Sequence, residues 1–378
     1  MKNKITAAIT LLCLAFSTPV SSQEKELNFD KSYIKANDKK TTIEINEMQE
    51  LVYIILSITE NGKNPNMVNQ KTDYYKDVQQ YFTPYATLPV VQKFNSLLTE
   101  NIINYFILAG NAYGFKFDQN KIVPTQVYNF PAKGVGKFEV KVNPILTYIK
   151  DLEEFVERSN YRKFYHEHLP YYNSLKKDYV KFASIALQKK WLENRFNYKI
   201  NSYRVLTSPL IGGMNATHTF EDNQFKEILL FLPTIKQDQK LSEQLNHAIN
   251  IRIIFTEIDH NYVGPVSEKF KEKINSIFND RAKWVNGANK STDHYPNPIK
   301  VYDEYLTWGL FILYAHDNFG SDKELMNQIT ENINSMMAKK GFPKAKEFNE
   351  ELLSLYQSAK DKKIENLYTQ LLDWSSKQ

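Results

Sequence analysis

IIFTEIDHNYVGP, residues 253–265, decides how this chain is read. Four apolar or neutral residues lead into Glu257-Ile258-Asp259-His260, and Gly264-Pro265 follows almost at once. The apolar spacing predicts a helix over residues 241–260, with the Gly-Pro pair as its stop. On such a helix Glu257 and His260 lie one turn apart on one face, and Thr256 and His260, four apart, can also meet.

Outward from that helix the chain changes character twice. Upstream, residues 47–62, "DYYKDVQQYFTPY", "LPVVQKFNSLLTENIINYFILAG" and most of 143–197 carry helical spacing. The period then shortens: "SYRVLTSPLIGGMN" and "KEILLFLPT" read as short β runs set apart by turn residues, and "TTIEIN" near the N-terminus as a further short strand. Downstream of residue 265, helices are predicted over 266–278, 299–316, 322–338, 345–357 and 362–375. The expected class is α+β and mostly helical, with a small mixed sheet ahead of the 241–260 helix. A helical N-terminal region over 23–199 precedes a second region over 200–378.

The chain has 378 residues, 42% hydrophobic, with 24 Tyr, 23 Phe and only 12 Gly, enough for a large ordered core and no low-complexity linker. Its first residues read as a secretory signal: Lys2 and Lys4, an apolar run from Ile5 to Phe16, then small residues to a cleavage point after Ser22. Export, secreted or periplasmic, is the expectation. Removing residues 1–22 takes away two lysines and no acid, so the formal charge falls from +5 to about +3. It also removes Cys13, the only cysteine, leaving no disulfide or thiol chemistry. No later stretch reaches the roughly 18 apolar residues of a membrane span, and no basic stripe points to nucleic acid.

Candidate chemistry gathers around His260. Were Thr256 a histidine, the stretch would be H-E-x-x-H, in which two histidines four apart hold zinc and the glutamate is general base on the bound water. A catalytic zinc also needs a third protein ligand. Glu304, on an apolar helix beside Tyr302, Leu306 and Trp308, is the candidate, because a carboxylate in such surroundings is costly unless ligating or paired. Its structural alternative is a partner such as Arg252 or a Tyr hydroxyl. Gly213, Met214 and Asn215, ahead of the helix, are candidates for holding an extended substrate by its backbone; Gly212-Gly213 also reads as a plain turn.

The order strand, Gly-Gly-Met-Asn, strand, Glu-x-x-His helix and Glu-bearing helix resembles the gluzincin class of zinc peptidases. More narrowly, "MQELVYIILSITENG", "DVQQYF" and "FTEIDHNYVGP" resemble a family of secreted bacterial proteins with an uncharacterised metallopeptidase-like domain. That resemblance implies a zincin-like core over 200–378, zinc as cofactor, Glu257 as general base, and His260 and Glu304 as metal ligands. Thr256 departs from the pattern, since a neutral hydroxyl is a poor zinc ligand. Asp259, His218 and His294 are the substitutes that sequence offers.

Other polar residues have simpler readings. His166 and His168 are two apart on a helix and point away from each other, so they form no chelating pair. His316 reads as a helix C-terminal residue, and His247 as structural. Asn215 and Asn289 head N-x-S/T sequons, relevant only in a glycosylating host. Two functions follow: zinc-dependent peptide-bond hydrolysis at a degenerate T-E-x-x-H site, or a peptidase-shaped protein without catalysis that binds a peptide or protein. A glycan-binding or glycan-processing reading rests only on aromatic content and the expected secretion.

Overall fold

The computed structural model describes residues 27–128, 134, 138, 140–236 and 238–378; the leader expected over residues 1–22 lies outside them. The first elements are α1 (Lys31–Asn37), β1 (Thr41–Glu44), α2 (Glu47–Ser57), α3 (Asp73–Phe82), α4 (Pro89–Glu100) and α5 (Asn104–Ala109). A hairpin of β2 (Phe115–Asp118) and β3 (Lys121–Pro124) is followed by α6 (Pro144–Ser159), α7 (Tyr161–Glu167), α8 (Leu169–Phe182) and α9 (Ile185–Arg195). Then come β4 (Ser202–Ser208), β5 (Ala216–Asp222) and β6 (Phe225–Pro233). The chain closes with α10 (Glu243–Lys269), α11 (Lys271–Phe278), α12 (Arg281–Trp284), α13 (Pro298–Phe319), α14 (Lys323–Lys340), α15 (Ala345–Ser358) and α16 (Ile364–Ser375). The class is α+β, mostly helical with a small mixed sheet, as the periodicity predicts.

The main sheet runs β1-β4-β6-β5, with β1, β4 and β6 parallel and β5 antiparallel to β6. β6 is buried from Glu227 to Pro233, as a strand covered on both faces should be. β5 instead alternates, Phe220 in and Thr219 out, which suits a strand with one wet face. Asn223 and Gln224 join β5 to β6 with φ of 51° and 59°, the two-residue turn whose twist matches paired strands.

Three cores surround this sheet. The largest gathers β4, β6, α9, α10 and all later helices around α13, which is buried without a break from Val301 to Ala315. A helix apolar on every side belongs in the centre. Gly309 lets α15 come close to it, because a Cβ there would lie 2.6 Å from Leu352 Cδ2. The second core holds α2 to α8 together with Leu210 and Ile211, and the third packs Phe29, Tyr113 and Tyr128 on Phe220, Phe225 and Phe231. Elements are shared across residue 200: β1 completes the sheet, and Tyr179 through Ile200 pack in the largest core.

The helix expected to stop at residue 260 continues to Lys269, with Pro265 inside it. A proline at this point removes its own N–H and leaves the carbonyl of Asn261 without its helical donor. The hydroxyl of Tyr198 donates to that carbonyl instead. The helix therefore survives its Gly-Pro pair by a bond from a distant loop.

Candidate functional site

α10 is capped by Ser242, whose hydroxyl accepts from the Leu245 N–H, and packs along α13. Asn297 caps α13 by accepting from the Lys300 N–H, with Pro298 at its first turn. These two helices carry the sequence-predicted residues to one place. His260 Nε2 lies 3.9 Å from Glu304 Oε2. Glu257, half-buried one turn before His260, faces the same cleft.

The cleft, of about 490 Å³, opens between the start of β5 and the exposed side of α10. Asn215, Thr217, His218, Glu257, His260 and His294 are among its lining groups. Asn261 fastens the strand to the helix: its Oδ1 accepts from Thr219 Oγ1 at 2.7 Å, and its side-chain N–H donates to the Glu257 carbonyl at 3.0 Å. Burial and the nearby charge of Glu304 push the Glu257 carboxyl up to about 7, while Lys340, Asn215 and Arg252 oppose them. Burial holds the His260 imidazole below its ordinary value, outweighing the pull of Glu304. A carboxylate poised near neutrality beside a neutral imidazole can exchange protons with a bound ligand.

Glu304 is the most heavily engaged group. Its Oε1 accepts from Tyr295 Oη at 2.7 Å, Trp308 Nε1 at 2.8 Å and Lys340 Nζ at 2.9 Å. Burial acts to raise its carboxyl, but Lys340, His260 and Tyr295 prevail and hold it below the ordinary value. A Tyr hydroxyl does satisfy this carboxylate, one of the two structural partners anticipated for it. Arg252 packs on Trp308 instead, its guanidinium 4.8 Å from the ring centroid.

Thr256 is turned from the cleft. Its hydroxyl donates back into the helix, to the Arg252 carbonyl at 3.1 Å. Asp259 is fully buried and lies off the cleft, so of the substitutes only His218 and His294 line it. Among the described residues no three His, Cys, Asp or Glu side chains converge closely enough to hold a metal ion. With Thr256 bonded inward and Glu304 Oε1 taken by three donors, the residues present do not fit a resident zinc.

The substrate-holding residues separate. Asn215 reaches the cleft, but the Gly213 N–H donates to the Asn66 carbonyl at 2.7 Å, and Met214 packs on the second core. The pair His166 and His168 also separates: His166 faces Glu47, and His168 stacks on Phe164 with centroids 4.0 Å apart. His316 sits in the last turn of α13 and His247 lies 3.5 Å from Ser184 Oγ. No protein-family model, curated protein or solved structure matches the chain.

Sequence reasoning missed Lys340 and Tyr295. Trp308, four residues after Glu304, was one helical turn away and could have been paired with it. Lys340 is 36 residues from Glu304, and no periodic signal joins them. Among the described residues no helix is long and apolar enough to cross a membrane.

Proposed function

We propose that this protein has a metallopeptidase-like architecture and uses its cleft to bind a peptide or protein segment, without metal-dependent cleavage. One observation carries the reading: Thr256, where the zinc motif has its first histidine, bonds its hydroxyl into its own helix, while Asn215, Glu257, His260 and His294 line the cleft. These groups offer both donors and acceptors to an extended chain. The expected export by a signal peptide, to the periplasm or beyond, places such a cleft before extracellular partners.

The test is fluorescence anisotropy of the mature protein with a labelled tryptic digest of casein, in chelator. Saturable binding that His260→Ala or Asn215→Ala weakens by about tenfold or more supports it. No binding at high protein concentration would overturn it.

A second reading, a secreted zinc-dependent peptidase, is favoured by Glu257, which lines the cleft and whose carboxyl burial and Glu304 push up to about 7, the range that suits a general base. Cleavage of labelled casein that chelation abolishes and Glu257→Gln loses would establish that reading in place of the first.

A further inference from the structure

Glu304 is 96% withdrawn from solvent at its side chain, which is only 4% exposed, and it still carries an ammonium group at hydrogen-bond distance. A carboxylate so buried needs a cation or a proton to remain. In a zinc peptidase that cation is the metal. Here it comes from the end of α14, where Lys340 Nζ lies 2.9 Å from Glu304 Oε1 and 3.3 Å from Tyr295 Oη.

The lysine is held in place by its surroundings. It is the last residue of α14, and Gly341 follows with φ of 94°, a conformation that turns the chain sharply onto the loop before α13. Asn286 N–H donates to the Gly341 carbonyl at 2.8 Å, and Asn289 Nδ2 to the Lys339 carbonyl at 2.7 Å. Phe342 then packs edge-on against Tyr295, with centroids 5.2 Å apart. The ammonium rests 4.8 Å from the Trp308 centroid and 5.9 Å from that of Tyr295, so two aromatic faces and a carboxylate surround it. The same tryptophan donates its Nε1–H to the same Glu304 oxygen.

We infer that Lys340 is the built-in counter-ion of Glu304 and that its ammonium keeps a divalent metal away from Glu257, His260 and Glu304. The loss of a ligand at Thr256 is then one of two departures from a zinc site. A metal approaching Glu304 Oε2 and His260 Nε2 would sit a few ångströms from a fixed positive charge held on a carboxylate that is itself only 4% exposed. Arg252, packed on the ring of Trp308, adds a second cation nearby. Restoring a histidine at position 256 therefore does not restore zinc binding, whatever peptide or protein the cleft accepts.

The test is zinc titration, with elemental analysis after dialysis, of the mature wild-type protein, Thr256→His, and Thr256→His combined with Lys340→Met. Wild type and Thr256→His are expected to keep no stoichiometric zinc. The double variant is expected to bind one zinc per chain, at least about tenfold more tightly than Thr256→His, with a zinc-dependent rise in melting temperature that His260→Ala removes. Should Lys340→Met fail to fold by circular dichroism, Lys340→Gln, which keeps a hydrogen-bond donor on Glu304, replaces it. Zinc retained by wild type or by Thr256→His alone, and lost with His260→Ala, overturns the inference. So does a folded double variant that binds zinc no better than Thr256→His.

Discussion

Tyr198 donates its hydroxyl to the carbonyl of Asn261, the acceptor that Pro265 deprives of its helical N–H. A half-buried carbonyl left without any donor costs about 1–2 kcal/mol. Tyr198→Phe is expected to destabilise the protein by that amount in urea unfolding. Adding Pro265→Ala restores the N–H that the carbonyl lacked, so the double variant should recover most of the loss. Simple addition of the two single effects would show that the tyrosine acts through packing alone.

That bond also explains where sequence reading ends. The burial of α13 was legible because residues 305–315 are apolar but for Thr307 and Gly309, and so were β4 and β6. The β2–β3 hairpin was not: its strands are only four residues each, too short for a clear period, and its turn relies on Gln119 at a φ of 52° instead of on a glycine. The end of α10 was misjudged because local rules stop a helix at Gly-Pro, and the compensating hydroxyl lies 63 residues away. In the cleft, the meeting of Glu257, His260 and Glu304 was legible from helical spacing and from the cost of a lone buried carboxylate. The cation on Glu304 was not, because tertiary packing alone brings the end of α14 there.

The pairing of Glu304 with Lys340 should be measurable as stability. Lys340→Met leaves a buried carboxylate with two neutral donors and is expected to cost on the order of 2 kcal/mol, less than a fully buried pair because the lysine side chain is 36% exposed. The folded carboxyl holds its proton less tightly than the unfolded one, whose ordinary value is 4.5. The contribution is therefore present above that value and disappears as the pH falls through the lowered folded value. Chemical denaturation below about pH 5 should show wild type and Lys340→Met converging as the pH drops. A gap independent of pH would assign the lysine a packing role only.

Two other carboxyls act in the opposite direction. Burial raises Glu50, hydrogen-bonded by Tyr74 at 2.7 Å, to about 7, and Glu257 likewise to about 7. In each the folded state binds its proton more tightly than the unfolded state, whose ordinary value is 4.5, so stability is greatest in acid and declines as the pH rises from there to about 7. Glu50→Gln is expected to narrow the difference between melting temperatures at about pH 5 and about pH 8. Glu257→Gln should do the same more weakly, because that side chain is partly exposed. An unchanged difference in both variants would remove these groups as its source.

Gly341 tests whether backbone geometry sets the charge in the cleft. Its φ of 94° disfavours any residue with a Cβ, and a Cβ built there lies 2.7 Å from Thr292 Cγ2 and 3.1 Å from Asn289 Cβ. Gly341→Ala is expected to cost more than about 1 kcal/mol from backbone strain alone, with the collision added. Thr292→Ser removes the colliding methyl while leaving the strained φ, so in the double variant only part of the loss should return. The residue before this turn is Lys340, and displacing the turn draws its ammonium from Glu304. Gly341→Ala should therefore lose stability below about pH 5 less steeply than wild type. If it keeps the full acid dependence, the turn fixes the helix end without positioning the charge.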